Sequence, residues 1–217
     1  MRLKLIAILS IALVLSACED PAANKPKATV TEPSGNTTVN TGGAPSEPAK
    51  GESLAITPAN TTVTFIGSKV TGRHEGGFTM FTGAIDLVNG NPEESSVSAD
   101  IDVNTLYSDD PKLTEHLKSS DFFDVAKFPK ATFRSTKIEP GGKSGDNYVV
   151  TGDLELRGQR KTISFPLKID VTNADVTVKS GFTINRKDFG MVYPGKADDL
   201  IRDDVSILID SKLPRRK

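Results

Sequence analysis

The chain offers few side chains that could carry out catalysis. It holds two histidines, His74 and His116, and a single cysteine, Cys18, in 217 residues. Neither histidine lies in a His-Glu-x-x-His metal motif, and the sequence contains no Gly-x-Ser-x-Gly nucleophile motif and no glycine-rich phosphate loop. His116 follows Glu115 directly, but one histidine and one carboxylate fall short of the three or four protein ligands of a zinc site. We therefore expect no catalytic residue, no metal and no cofactor, and a protein that is not an enzyme.

The start of the chain predicts export and lipid attachment at Cys18. Arg2 and Lys4 precede an apolar run over residues 5–15, which is shorter than the roughly 20 residues of a membrane helix and is typical of a secretory signal. The run ends in LSAC, which resembles the lipobox of bacterial lipoproteins, where the peptidase cuts before the cysteine and the thiol carries diacylglycerol. The alternative is a stray cysteine at the end of an ordinary signal peptide. We expect residues 1–17 to be the lipoprotein signal peptide and Cys18 to be the lipidated residue.

This start also predicts where the protein resides. A lipidated Cys18 would make it a membrane-anchored lipoprotein of the bacterial cell envelope, with its domain in the periplasm or at the cell surface. Residues 18–53 are rich in Pro, Ala, Thr, Asn and Gly, with Val30 and Val39 as the only larger apolar residues after Cys18. Such a segment cannot bury enough apolar surface to order itself, so we expect a disordered tether. The net charge of −1 is too low for a nucleic-acid partner.

From about Leu54 to the end at residue 217, the sequence predicts one all-β domain. Apolar and polar residues alternate strictly in several runs, which is typical of half-buried antiparallel strands. Pro166 falls on the polar face of one run and indicates an edge or a bulge there. We predict about eight strands, near 62–70, 78–88, 95–103, 130–139, 147–157, 161–171, 175–186 and 203–213. Eight antiparallel strands can close into a lipocalin-like barrel with room for one small ligand.

The long connection between the third and fourth predicted strands breaks this alternation. Asp109 or Asp110 can cap a helix, Pro111 suits its first turn, and Leu113 and Leu117 are spaced for one apolar face. One or two short helices are therefore expected here.

Four of the ten phenylalanines follow within residues 115–133, in a chain that has no tryptophan. Phe122, Phe123 and Phe128 are predicted to close one end of the barrel as an aromatic plug. Ordinary core filling beneath a loop is the alternative, because aromatic clusters are common in protein cores.

These segments together resemble the YceI-like, polyisoprenoid-binding domain over residues 54–213. The resemblance rests on HLKSSDFFDVAKFPKATFRSTKI and VTGDLELRGQRKTISFPLKI, supported by FTINRKDFG and DDVSILID. It implies an extended lipocalin-like barrel that binds an isoprenoid chain, such as a polyprenyl phosphate or a quinone tail, in its apolar interior. The chain departs from the commonest family pattern in one place, since the family has a histidine nearer the position of Lys69 and this chain has His74.

The expected function is binding of an isoprenoid or other amphiphilic lipid, for carriage, storage or stress protection. The apolar residues expected to line the lipid pocket are Phe65, Phe78, Phe81, Ile101, Leu113, Leu117, Phe122, Phe123, Phe128, Phe165 and Phe182. The expected head-group contacts are Lys69, Arg73, His74 and Arg186, although each could be a solvated charge or a structural ion pair, Arg186 with Asp188 or Asp203. The alternative function is a ligand-free envelope module whose barrel is filled by its own side chains. A continuous apolar cavity would distinguish the two.

Overall fold

The computed structural model describes residues 20–33, 51–143 and 145–215. The predicted signal peptide, Cys18 and the central part of the predicted tether lie outside the described residues. Within the described ranges the strands are β1 (Thr29–Thr31), β2 (Gly51–Ile56), β3 (Thr61–Lys69), β4 (Gly72–Phe78), β5 (Phe81–Val88), β6 (Asn91–Asp102), β7 (Leu106–Ser108), β8 (Lys130–Pro140), β9 (Tyr148–Leu156), β10 (Gln159–Val171), β11 (Asp175–Asn185), β12 (Gly195–Lys196), β13 (Asp199–Leu200) and β14 (Asp204–Pro214). One α-helix, α1 (Pro111–Lys118), and two 3-10 helices, Val103–Thr105 and Arg186–Phe189, complete this part of the chain. None of the helices described here is long and apolar enough to cross a membrane.

Twelve of these strands form one strongly curled sheet. Its order is β2-β5-β6-β8-β9-β10-β11-β14-β3-β4-β7, with β1 added beside β10, and every ladder is antiparallel. The predicted all-β antiparallel class is confirmed. The predicted count of about eight strands is wrong, since the described residues form fourteen, and so is the closed barrel. In the part of the chain that the structure describes, β2 and β7 end the sheet without pairing with each other, which leaves a half-barrel.

Each of the eight predicted strands overlaps a strand of the sheet, and the missed strands are short or rich in glycine. β4 is the instructive example, because its sequence GRHEGGF has no apolar alternation. A Cβ atom at Gly76 would lie 2.5 Å from the ring of Phe65 on the neighbouring β3. The missing side chain lets that ring pack flat on β4, so packing rather than strand propensity selects glycine here.

The predicted helix is confirmed and is capped as its sequence indicates. The Asp110 carboxylate accepts hydrogen bonds from the backbone N–H groups of Lys112 (2.7 Å) and Leu113 (3.3 Å), and Pro111 occupies the first turn. These contacts satisfy donors that have no partner within the helix. The helix stops at Ser119, whose N–H bonds the carbonyl of His116, and the chain turns back toward the sheet.

Pro166 lies in β10, at the point where the pairing of β10 with β11 is interrupted. It has no N–H, and its carbonyl accepts a hydrogen bond from the Ser180 hydroxyl (2.7 Å) instead of joining a ladder with β11. The β10–β11 ladder therefore begins only at the Lys168–Lys179 pair and continues to the turn. On the other side of Pro166, β10 and β11 diverge, which confirms the predicted local edge.

Residues 20–33, hereafter the strap, fill this gap, and here the predicted disordered tether is wrong. β1 pairs with residues 162–164 of β10, while Thr183 of β11 donates its N–H to the Pro26 carbonyl and accepts from the Ala28 N–H. Ala28 is 5% exposed and belongs to the core. The composition of the strap predicts disorder, but backbone hydrogen bonds to the neighbouring strands order it. Composition does not report such bonds. β2, the first strand described after the strap, starts at Gly51, three residues before the predicted domain start at residue 54.

Candidate functional site

An apolar cavity of about 510 Å³ runs inside the curled sheet. Every second residue of β3 lines it, from Thr61 to Lys69, so the cavity follows the whole strand over about 26 Å at about 3.3 Å per residue. The same alternation holds on the other strands, where the lining residues include Val97, Ala99, Ile163, Leu167, Val178, Ile184, Ile207 and Ile209. Ligand pockets in proteins usually measure about 300–1,000 Å³, so this cavity has the size and the lining of a site for an elongated apolar molecule.

Two adjacent phenylalanines and α1 cover one end of this cavity. The ring of Phe123 lies 6.5 Å from that of Phe65 and 6.1 Å from that of Phe78, as a three-ring cluster. The ring of Phe122 lies 5.0 Å from His116 and 5.5 Å from Tyr193. We call Phe122 and Phe123 the plug, because both line the cavity and connect its wall to the loops outside it.

Local backbone geometry sets the plug in place. The Phe123 N–H bonds the Leu117 carbonyl (3.0 Å) and the Asp124 N–H bonds the Ser119 carbonyl (2.8 Å), so the chain folds back on the end of α1. Asp124 adopts a left-handed conformation, with φ of 49°, and is buried. The predicted helix thus positions the plug through its C-terminal turn.

The structure places nine of the eleven predicted pocket residues at the cavity: Phe65, Phe78, Ile101, Leu113, Leu117, Phe122, Phe123, Phe165 and Phe182. Phe81 is 5% exposed but does not line the cavity. Phe128 also lies elsewhere, because its ring packs on the Arg157–Gly158 turn, where a Cβ on Gly158 would be 2.5 Å from the ring. The predicted plug is therefore corrected to two phenylalanines, and Phe128 is a packing residue beneath the β9–β10 turn.

Three further aromatic rings cross the middle of the cavity. Phe165 and Phe182 stack with centroids 4.1 Å apart, and Phe133 lies 5.8 Å from Phe165. Phe133 is a lining residue that was not predicted, although it belongs to the phenylalanine-rich segment and alternates correctly on β8. Its ring fits because Gly152, two residues from its register partner Leu154 on β9, has no Cβ; one would lie 2.6 Å from the ring.

Lys69 lies at the end of β3 and lines the cavity beside an acidic partner. Its ammonium contacts the Asp199 carboxylate at 2.5 Å, and that carboxylate also accepts bonds from the Thr71 N–H (3.1 Å) and hydroxyl (3.0 Å). The hydrogen bond from Lys69 lowers the pKa of Asp199 below its ordinary value of 3.8, and the bonds from Thr71 act in the same direction. Lys69 thus lies at the cavity with Asp199 as its ion-pair partner.

His74 and Arg73 are neighbours on β4, but only His74 lines the cavity, since successive residues of a strand point to opposite faces. His74 Nδ1 lies 2.9 Å from the Asp109 carboxylate. Partial burial raises the pKa of Asp109, but the hydrogen bonds from His74 and the Glu75 N–H outweigh it and keep the pKa below 3.8. Arg73 is exposed, 3.8 Å from the Glu75 carboxylate, and is not brought to the site.

Arg186 lines the cavity but is engaged by the protein. Its guanidinium, 4% exposed, donates to the carbonyls of Met191 (2.5 Å), Arg202 (3.1 Å) and Ile201 (3.4 Å) and to the Asp203 carboxylate (3.0 Å). Burial lowers the pKa of Arg186, and Asp203 opposes this effect. The alternative pairing with Asp203 is thus present. Arg186 also holds the loop between residues 191 and 203. We call the end of the cavity at this loop the mouth.

Sequence reasoning missed several polar residues at the mouth. The Ser68 hydroxyl is buried and has no hydrogen-bond partner among the described residues. Lys196 and Tyr193 also line the cavity. They lie in a loop whose sequence has no alternation of apolar and polar residues, so no pattern predicted them. In the part of the chain that the structure describes, no group of three His, Cys, Asp or Glu side chains could hold a metal ion. The mouth therefore offers cations and hydroxyl groups above an apolar interior.

Comparison with known proteins places this geometry in a family. Residues 54–213 match the family model of the YceI-like domain. A UPF0312 protein of Pseudomonas putida strain W619 is 34% identical over 139 residues, which cover 61% of this chain and 71% of that protein.

Two solved structures share the fold. Burkholderia cenocepacia BcnA superposes with a TM-score of 0.63 at 24% identity, over 71% of this chain and 97% of its own. A polyisoprenoid binding domain from Saccharophagus degradans, implicated in plant cell wall breakdown, superposes with a TM-score of 0.59 at 15% identity, over 77% and 100%.

Proposed function

The chain belongs to the YceI-like family, and on that premise we propose that it binds an isoprenoid or other amphiphilic lipid inside its cavity. The observation that carries the proposal is the apolar cavity of about 510 Å³ that follows the full length of β3. A solved relative of the same fold is described as a polyisoprenoid binding domain, which supports this choice of ligand. A ligand of the polyprenyl phosphate or quinone type joins a long apolar tail to one polar head group, as the cavity and its mouth require.

The binding energy would come from the tail. Burial of about 400 Å² of apolar tail at about 25 cal/mol per Å² would contribute roughly 10 kcal/mol, before the costs of association are subtracted. The lining adds little polar specificity along β3, where the polar lining residues, Thr61, Ser68 and Lys69, lie at its two ends. The protein would therefore select its ligand by the shape and length of the tail.

The head group would lie at the mouth. Lys69 and His74 line the cavity there, and the Ser68 hydroxyl is buried beside them without a partner in the described residues. These groups can donate hydrogen bonds to a phosphate or to a quinone oxygen. Arg186 would act indirectly, because its own hydrogen bonds hold the mouth loop.

The alternative of a barrel filled by its own side chains is disfavoured by the cavity itself. A filled barrel would leave no continuous apolar void, whereas about 510 Å³ remains between the facing strands. Protein interiors are normally close-packed, so an apolar void of this size is a feature in need of an occupant.

We propose further that Cys18 carries the lipid anchor and that the domain works at the bacterial cell envelope, in carriage, storage or stress protection. Cys18 is the only cysteine and follows the LSA tripeptide. Cys18→Ser should leave a protein that no longer fractionates with membranes. Persistent membrane association of that variant would contradict lipidation as the anchor.

Ligand binding is tested with a quinone that has a long isoprenoid tail. The quinone absorbs in the ultraviolet, and the chain has no tryptophan to obscure it. Delipidated protein should co-elute with the long-tailed quinone in gel filtration at about one molecule per chain. A short-tailed quinone with the same head group is the matched control and should not co-elute. Equal co-elution of both, or of neither, would contradict the proposal.

A further inference from the structure

Exposed apolar side chains gather at the cavity mouth. Of the large hydrophobic residues that the structure describes, five are exposed, and three of them, Val70, Val192 and Leu200, lie on the loops of the mouth. The Val70 N–H donates to the Leu200 carbonyl (3.2 Å), which joins the β3–β4 turn to the β12–β13 hairpin. Val192 lies between two cavity-lining residues, Met191 and Tyr193. We call Val70, Val192 and Leu200 the apolar rim; they are 60%, 64% and 50% exposed.

The strap begins beside this rim. The Asp20 carboxylate lies 3.1 Å from the guanidinium of Arg202, two residues after Leu200. The Ser206 hydroxyl donates to the Pro21 carbonyl (3.0 Å), and Ser206 is fully buried. The first residues of the strap are therefore fixed to the loop that carries the rim.

The strap also limits how far the proposed anchor can lie from the mouth. Cys18 precedes Asp20 by two residues, and two residues span at most about 7 Å of chain. An acyl group on Cys18 would consequently enter a membrane close to Arg202 and to the apolar rim. The remaining strap contacts, including Lys27 with Asp204 (2.8 Å), hold the domain in one orientation relative to this point.

We infer that the apolar rim is a membrane-docking surface, which holds the cavity mouth against the bilayer that carries the anchor. This inference rests on the proposed lipidation of Cys18. Exposed apolar patches mark contact sites for proteins or membranes, and the neighbouring anchor favours the membrane. Three side chains would bind a bilayer weakly on their own, but an anchor within about 7 Å of chain from Asp20, which pairs with Arg202 beside the rim, keeps them at high effective concentration. An apolar tail could then pass between the leaflet and the cavity without crossing water.

The charges at the mouth indicate how the surface holds the membrane. Lys69 pairs with Asp199, Arg202 with Asp20, and Lys187 with Asp203 (2.8 Å). These three cations have local counter-ions, and Lys196, which has no ion pair among the described residues, is a single charge rather than the polybasic cluster that attracts anionic lipids. Contact through the rim should persist at high salt, whereas an electrostatic contact would weaken.

The test measures which end of the domain touches lipid, in the complete, lipidated protein. Because Cys18 is the only cysteine and its thiol would be acylated, Val192→Cys and Leu200→Cys each add a single thiol for a fluorescent dye. Ala174→Cys is the control, in the turn at the opposite end of β11, about 36 Å along the chain from Asn185. Each protein is placed in phosphatidylethanolamine–phosphatidylglycerol vesicles that contain nitroxide-labelled lipid.

We expect strong quenching at positions 192 and 200, several-fold above position 174, at both low salt and 1 M salt. Equal quenching at all three positions would overturn the docking surface. Failure of the protein to float with the vesicles would overturn the anchor and the docking surface together. Extraction of bound lipid from the same samples is an independent measurement. Quenching at the rim in a protein that releases no lipid cargo would support the docking surface and contradict the proposed function.

Discussion

Gly67 provides a direct way to fill the cavity without removing any native contact. It lies on β3 among the cavity-lining residues, and a Cβ atom there would meet no other atom within 4 Å. Ile66, the preceding residue of β3, is half-buried and does not line the cavity, because successive residues of a strand point to opposite faces. Gly67→Phe and Ile66→Phe therefore form a matched pair that places the same ring on opposite faces of β3.

The size of the effect follows from volumes and areas. A benzene-sized ring fits a cavity of about 150 Å³, so a phenyl group at position 67 would take roughly a third of the 510 Å³. If the lipid tail loses contact with about 100 Å² of apolar surface, at about 25 cal/mol per Å², binding weakens by about 2.5 kcal/mol. That corresponds to a dissociation constant about 70-fold higher. The ring is itself buried, so Gly67→Phe should raise the melting temperature of the lipid-free protein by a few degrees.

The assay is the bound fraction of a long-tailed quinone at several concentrations, with thermal melting of the lipid-free proteins followed by circular dichroism. Gly67→Phe should combine weak binding with unchanged or higher stability, while Ile66→Phe should bind like the unmodified protein. Unweakened binding by a folded Gly67→Phe protein would refute the reasoning that the tail occupies this cavity. Weak binding by both variants would show that the loss is not due to cavity filling.

Three further predictions concern the plug, the strap and the mouth. Phe122→Lys combined with Phe123→Lys should abolish lipid retention, measured by extraction, while the β-rich circular dichroism spectrum remains; unchanged retention would contradict the plug. Ala28→Asp should place a carboxylate in the core and weaken strap docking by about 2 kcal/mol, seen as roughly 30-fold faster amide hydrogen exchange in the strap and in the β10 and β11 residues that pair with it, with the rest of the sheet unchanged. Asp199→Asn should free Lys69 and strengthen binding of a polyprenyl phosphate by up to about fivefold, with no change for a quinone. Because the pKa of Asp199 is lowered, the stabilisation from its ion pair is present above pH 3.8 and is lost as the pH falls through the lowered pKa. The stability of the Asp199→Asn protein should therefore depend less on pH in this acid range. Unfolding followed against pH measures this difference.

Alternation of apolar and polar residues predicted the strands that line the cavity, because the inward faces must be apolar for their whole length. It failed where backbone bonds or glycine packing decide the structure. The strap is ordered by the edge that Pro166 leaves open, and neither segment alone reveals the other. The proline did predict an edge in β10, but the segment that covers this edge lies more than 130 residues earlier in the chain.

At the candidate site, too, the sequence predicted the residues on regular elements better than those whose contacts depend on tertiary structure. Residues on regular strands and on α1, such as Phe65 and Leu117, were placed correctly at the cavity. Phe128 was not, since its contact is with the Gly158 turn and depends on tertiary structure. For Arg186 the sequence offered Asp188 and Asp203 as partners without choosing between them. Its guanidinium donates four hydrogen bonds within the protein, so the residue type alone does not show that it contacts a ligand.

The most direct test of the central claim is native mass spectrometry of the chain from residue 19 onward, secreted to a bacterial periplasm and purified without detergent. We predict an added mass that is released by organic extraction as a polyprenyl phosphate or an isoprenoid quinone, and that is absent from Gly67→Phe but present in Ile66→Phe. A lipid-free mass that remains unchanged after incubation with such lipids would contradict lipid binding in the cavity.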